Sequence, residues 1–187
     1  MSAGARIVTV FGSGRLRAGD PQYAQARALG AALAAKGFRV CSGGYGGVME
    51  AVSRGAKEAG GQTLAVTAEF FRSSANEWID EQVRVRTWQD RLFELVKRGH
   101  GYVTCPGGTG TLAELAVVWE MLNKGAMARK PFLVLGDFWR PVVDLVSEVE
   151  FGRARDRGRG HGDAPLVHVA SSPADAAAYL AAHFEAR

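Results

Sequence analysis

From Ile7 to Val169 the chain repeats one cycle: a short apolar run, a turn, then apolar residues at helical spacing. The runs are four to six residues long, too short for helices, and most give way to glycine or a polar turn. They read as strands buried on both faces, except Gln82–Arg86, which alternates as a strand. Strands are expected over Ile7–Phe11, Phe38–Cys41, Gln62–Thr67, Gln82–Arg86, Gly101–Cys105, Pro131–Leu135 and Leu166–Val169. Between them, Asp20-Pro21 opens a helix with an N-cap residue and a proline at its first position, and Gly37 closes it. Further helices are expected over Val48–Glu58, around Trp88, Leu92, Leu95 and Val96, over Thr111–Leu122 and Phe138–Glu148, and from Ser172-Pro173 to about Phe184. Glu69–Asp80 has no clear period and reads as a surface excursion. Strands alternating with helices over the whole length imply one α/β domain, residues 1–187. Its architecture is a Rossmann-like, doubly wound parallel sheet with helices on both faces.

In such sheets a ligand lies beyond the carboxyl ends of the strands, near the point where strand order reverses. Three strands end in glycine-rich turns: Gly12-Ser13-Gly14, Gly43-Gly44-Tyr45-Gly46-Gly47, and Gly107-Gly108-Thr109-Gly110. Glycine lets the backbone approach a ligand, and the N–H groups of such turns gather anions. Three turns at one edge point to a phosphate ligand, with Thr109 and Thr111 adding hydroxyl donors. The first turn has Arg17 where a dinucleotide fingerprint needs its third glycine, and no acid ends the second strand. The third turn lacks the lysine of a P-loop, which argues against nucleoside triphosphate hydrolysis.

Two residues near these turns are ambiguous from spacing alone. Glu114 follows Thr111 by three, so the pair forms either a capping box or a carboxylate facing a ligand. Arg91 either pairs with Glu94 on a solvated helix face or reaches into the site.

Composition narrows the partners. The 187 residues carry a net charge of +4, too modest and too dispersed to imply nucleic acid. The densest basic cluster, Arg153, Arg155, Arg157 and Arg159, reads as a solvated loop over 152–160. Cys41 and Cys105 show no metal or disulfide spacing, and no His, Cys and acid pattern suggests a metal. No apolar run is long enough to span a membrane. The first residues lack the core of a signal peptide, so a cytoplasmic location is expected.

The segments Ser42-Gly43-Gly44-Tyr45-Gly46-Gly47-Val48-Met49 and Pro106-Gly107-Gly108-Thr109-Gly110-Thr111-Leu112-Ala113-Glu114 resemble the LOG family. Its members are cytokinin riboside 5′-monophosphate phosphoribohydrolases, also labelled "lysine decarboxylase family". The resemblance runs from about residue 6 to 148, and the last strand and helix fit it. It implies a catalytic pair, Arg91 and Glu114. Nucleotide binding would fall to Gly12, Ser13, Gly43, Gly44, Met49, Gly107, Gly108, Thr109, Gly110 and Thr111. It implies a nucleoside monophosphate substrate such as AMP or a cytokinin nucleotide, no cofactor, and a homodimer. The apolar content of the Trp88 and Trp119 helices suits an interface and a core equally. The family commonly has Arg-Lys where this chain has Arg91-Leu92. A branch of similar fold resembles molybdenum-cofactor carrier proteins, so a non-catalytic nucleotide or pterin binder is the alternative. Decarboxylation of lysine needs a pyridoxal phosphate lysine, and none of the five lysines stands in such a motif.

Overall fold

The computed structural model describes residues 5–156 and 165–185, with side chains over 5–150 and 165–185. The strands are β1 (Ile7–Phe11), β2 (Arg39–Ser42), β3 (Thr63–Ala68), β4 (Glu81–Val85), β5 (Gly101–Thr104), β6 (Phe132–Leu135) and β7 (His168–Ala170). The helices are α1 (Pro21–Ala35), α2 (Val48–Glu58), α3 (Trp88–Arg98), α4 (Thr109–Asn123), α5 (Arg140–Asp156) and α6 (Pro173–Glu185). All seven strands lie parallel in one sheet, ordered β4-β3-β2-β1-β5-β6-β7. Strand order reverses at β1, which lies between β2 and β5. The carboxyl ends of β1, β2 and β5 carry the three glycine-rich turns.

Both faces of the sheet are covered. On one, Leu29, Leu33, Val52 and Leu180 from α1, α2 and α6 pack on Val8, Val10 and Val40. On the other, Leu95, Leu115, Val118 and Val143 from α3, α4 and α5 pack on Phe11, Leu64 and Phe132. Burial on both faces explains why the strands show apolar runs with little alternation. α1 and α2 cross at glycines: a Cβ on Gly30 would overlap the Val52 carbonyl oxygen, and one on Gly55 would overlap that of Arg27. At the sheet edge, β4 places exposed Glu81 and Arg84 outward, charges that discourage pairing with another strand.

One expected cap bond is absent, and the bounds of two helices, α4 and α5, move. Asp20 precedes α1, but its carboxylate accepts from the Arg17 N–H at 2.7 Å and makes no cap bond to the helix. α4 begins at Thr109 with Gly108 as its N-cap, two residues before the expected start. α5 begins at Arg140 and continues to Asp156, so the first part of the expected arginine-rich loop is helix. Arginine and alanine are good helix formers and extend it readily. Residues 157–164, with Arg157 and Arg159, lie outside the described residues. Among the described residues, no helix is long and apolar enough to cross a membrane.

Candidate functional site

The turn after β5 is fixed from both sides. The Ser13 N–H donates to the Pro106 carbonyl at 3.1 Å, and the buried Trp139 indole N–H donates to the Cys105 carbonyl at 2.9 Å. Thr111 stands in the third helical position of α4, 4% exposed, with its side chain against Gly107. A Cβ on Gly107 would overlap Thr111 Oγ1. Gly108, Thr109 and Gly110 are exposed, and nothing lies within 4 Å of where a Cβ on either glycine would project. The first turn of α4 therefore presents N–H donors to open space at its positive end, which is the geometry of an anion cradle.

The helix start settles the Thr111–Glu114 ambiguity. A capping box needs Thr111 at the N-cap, but that position belongs to Gly108, whose backbone starts the helix without a side-chain cap bond. Glu114 instead turns inward, its carboxylate 3.8 Å from Nη1 of Arg91. Burial pushes its carboxyl up to about 7, against the smaller opposing pull of Arg91. The Arg91–Glu94 pairing does not form either. Glu94 accepts from Nε of Arg98 at 2.8 Å, one turn further on, and Arg91 is 6% exposed.

Arg91 is held by parts distant in sequence. Its Nε donates to the Val66 carbonyl of β3 at 2.9 Å, and Nη2 lies 3.6 Å from Met49 Sδ. Its guanidinium carbon stands 5.3 Å from the ring centres of both Tyr45 and Phe71, a cation–π arrangement. A Cβ on Gly43 would overlap Nη2 and lie 2.6 Å from Met49 Sδ, so the absent side chain is what admits the guanidinium. Burial lowers the Arg91 pKa, with Glu114 opposing that shift. Apart from the Nε bond, the contacts of its N–H groups are the longer ones to Met49 and Glu114, which leaves hydrogen-bonding capacity on the guanidinium.

The remaining expected residues take two kinds of place. Ser13 links all three turns, since its carbonyl also accepts from the Val48 N–H at 2.8 Å. Met49 touches Arg91 directly. Gly12 and Gly44 shape the frame: a Cβ on Gly12 would meet the Val48 side chain at 2.7 Å, and one on Gly44 the Ala65 Cβ at 2.6 Å. Gly44 also holds φ at 77°, a left-handed value that favours glycine.

The sequence reading missed Tyr45, Phe71 and Asn76. The Tyr45 hydroxyl donates to the Ala68 carbonyl at 3.1 Å and accepts from the Ala68 N–H at 2.9 Å. Asn76 returns the excursion after β3 to the second turn: its N–H and its side-chain amide both donate to the Gly44 carbonyl, at 2.8 and 3.0 Å. The available signal was position, because Phe70-Phe71 follow directly on a strand's carboxyl end. Leu92 is 5% exposed and packs in the core with Leu95 and Val96. The difference from the family's Arg-Lys therefore falls on a packing position. Trp119, 6% exposed, is likewise core. Burial pushes both thiols, Cys41 and Cys105, up to about 12, which leaves them un-ionised at neutral pH. Among the described residues, no group of three or more His, Cys, Asp and Glu side chains is placed to hold a metal ion.

Known proteins resemble this chain in sequence and fold. The sequence profile of the SLOG cluster4 family matches residues 5–140. A cytokinin riboside 5′-monophosphate phosphoribohydrolase of Mycobacterium marinum is 40% identical over 97 residues, 50% of this chain and 52% of that protein. The match thus spans about half the length of that relative. Among solved structures, the molybdenum cofactor carrier protein of Chlamydomonas reinhardtii superposes with a TM-score of 0.76 at 27% identity, over 98% of this chain and 99% of that one. The molybdenum cofactor binding protein of Rippkaea orientalis gives 0.73 at 25% identity, over 96% and 98%.

Proposed function

The chain belongs to the SLOG cluster4 family, and from that premise and the geometry around Arg91 we propose that it is a phosphoribohydrolase of nucleoside 5′-monophosphates. The substrate would be AMP or a cytokinin riboside monophosphate, and the products the free base and ribose 5-phosphate. The observation that carries this reading is the buried pair of Arg91 and Glu114 at 3.8 Å, beside an open anion cradle. The phosphoribohydrolase relative supports the same reaction class.

In this reading the 5′-phosphate sits on Gly107, Gly108, Thr109, Gly110 and Thr111. Binding the phosphate there fixes the ribose relative to the carboxylate, so that distant binding energy positions the bond to be cleaved. As the C1′–N bond breaks, C1′ gains oxocarbenium character and water adds to it. Glu114 in its ionised form offsets the developing positive charge and accepts one proton from that water. The departing base takes up a proton. A carboxyl titrating near 7 suits this exchange at neutral pH. Arg91 donates to the sugar-phosphate and holds Glu114 in place. Gly43, Met49 and Ser13 maintain that geometry, with Gly12 and Gly44 shaping the backbone behind them. The reaction as written needs no cofactor.

A homodimer in the cytoplasm completes the proposal. Phe93 on α3 and Leu112 on α4 are 53% and 40% exposed, and such apolar side chains suit burial against a second copy. Sedimentation of the full chain tests this part. One observation favours the alternative, a pterin-cofactor carrier: the carrier structures match nearly the whole chain, whereas the hydrolase match covers half. Incubation with AMP and with isopentenyladenosine monophosphate, followed by chromatography for free base, separates the two. Release of base that disappears in Arg91→Ala and Glu114→Ala supports hydrolysis. Tight nucleotide binding without release supports the carrier, and release undiminished in both variants removes their assigned roles.

A further inference from the structure

The side chains of Arg91 and Glu114 are only 7% and 15% exposed. Opposite charges attract more strongly the less water surrounds them. The pair nevertheless stands at 3.8 Å, well beyond the roughly 2.8 Å of a charge-assisted hydrogen bond. Two more exposed arginine–carboxylate pairs do close: Arg54–Glu58 to 2.9 Å and Arg98–Glu94 to 2.8 Å. The driest of these three pairs is therefore the most open, and other groups must be holding Arg91 back.

Three groups compete with Glu114 for the guanidinium. The Val66 carbonyl takes the Nε proton at 2.9 Å. The rings of Tyr45 and Phe71 each have their centres 5.3 Å from the guanidinium carbon. The two rings meet edge to face, 5.4 Å apart at 67°, and so form one aromatic corner around the cation. Phe70 backs Phe71 in the same manner at 5.2 Å. The corner is anchored at both ends of the excursion that supplies it. The Tyr45 hydroxyl exchanges two hydrogen bonds with the backbone of Ala68. Beyond Phe71, the Asn76 side-chain amide donates to the Gly44 and Tyr45 carbonyls at 3.0 and 2.9 Å. One cation–π contact biases a cation between two positions by about two- to thirtyfold, and here two rings act on the same group.

We infer that Tyr45 and Phe71 are positioning residues that hold the Arg91 guanidinium off Glu114, so that the pair stays open instead of closing on itself. A closed pair would occupy the Arg91 donors and lock the carboxylate in its ionised form. The open pair keeps those donors for an anion and leaves burial as the dominant influence on Glu114, whose carboxyl then titrates at about 7. Three titratable groups face Arg91: Glu114 from α4, Tyr45 from the second turn and Cys41 from β2. Glu114 is the one carboxyl among them, and Arg91 is the charge that opposes its burial, so a displacement of Arg91 registers there. The inference rests on the functional pair proposed above and adds the groups that set the state in which it meets a ligand.

The test replaces the ring at position 71 by Phe71→Leu, with Phe71→Tyr as the variant that keeps it. Phe71 is 40% exposed on a single helical turn, so neither change disturbs the core. Each full-length chain is prepared with Glu114 and with Glu114→Gln, and thermal unfolding is followed from pH 5 to pH 8. With Phe71 in place, the Tm gap between the Glu114 and Glu114→Gln forms widens until the raised carboxyl has ionised, near pH 7. In Phe71→Leu the guanidinium closes on Glu114. A roughly tenfold change in that balance lowers the folded pKa by about one unit, so the widening falls to about half. The pH midpoint of kcat/KM for AMP moves down by the same amount. Phe71→Tyr retains both wild-type values. A widening undiminished in Phe71→Leu, or diminished equally in Phe71→Tyr, overturns the inference, as does a gap that is flat with pH while Phe71 is present. A halved widening without any release of base from AMP upholds the inference and rejects the hydrolase reading alone, because unfolding needs no substrate.

Discussion

Glu114→Gln should make the protein more stable at pH 8 and leave it nearly unchanged at pH 5. The carboxyl titrates at about 7 in the folded chain, against 4.5 as its ordinary value. A carboxyl raised on folding leaves the native state unpenalised below the unfolded pKa. Stability is then lost as pH rises, because the unfolded chain ionises first, and the full loss is reached above the folded pKa. Between pH 5 and pH 8 these two values give a loss on the order of 2 to 3 kcal/mol for the wild type. Glutamine is neutral throughout and loses nothing. The opposing attraction of Arg91 is already contained in the raised value, because it lowers the pKa that burial raises. For a chain of this size, a loss of that order corresponds to a difference in Tm of roughly 5 to 10 °C. The assay is thermal unfolding of both proteins at pH 5, 6, 7 and 8 in the same salt, followed by circular dichroism. A gap between the two Tm values that does not widen with pH would refute the argument, since burial could not then be raising the Glu114 pKa.

Three further outcomes follow from the same geometry. In Gly43→Ala the new methyl group displaces the Arg91 guanidinium, and a shift of about 1 Å lowers kcat/KM on the order of 100-fold with the circular dichroism spectrum retained; activity within threefold of wild type would show that Arg91 need not stand where it does. The value of kcat/KM for AMP rises with pH through about 7 and then levels, as Glu114 ionises in the free protein, and a profile flat from pH 5 to 8 contradicts its role. Leu92→Lys, which restores the family's usual Arg-Lys pair, places an ammonium among Leu95 and Val96 and lowers stability by roughly 2 to 4 kcal/mol without raising turnover. An unchanged urea midpoint would mean that position 92 reaches solvent or the site.

The sheet was legible because its inner strands are buried on both faces, and double burial writes itself as apolar runs, whereas the edge strand β4 shows itself by alternation. Boundaries were less so. Thr-x-x-Glu at 111–114 carries the signature of a helix start whether or not the helix starts there, and only the backbone of Gly107 and Gly108 decides. The same holds for Arg91: Glu94 has basic neighbours at both three and four residues' distance, and the choice of Arg98 depends on Arg91 being drawn under β3. The frame formed by Tyr45, Phe71 and Asn76 had no sequence signature at all. It joins the second turn to an excursion some thirty residues further along, and such a contact has no periodicity to reveal it. The cradle, by contrast, is local, and local backbone chemistry is what sequence conveys best.

The two hydrogen bonds that fix Cys105 and Pro106 have a thermodynamic consequence for whatever anion arrives. Both carbonyls leading into the cradle already have their partners, one in the indole of Trp139 and one in the backbone of Ser13. The donors of α4 are therefore aimed before the ligand appears, and little conformational entropy remains to be lost on capture. An anion bound there would draw mainly on enthalpy and on the fixed field of the helix end. Its association rate would reflect diffusion into an open turn rather than the ordering of a loop.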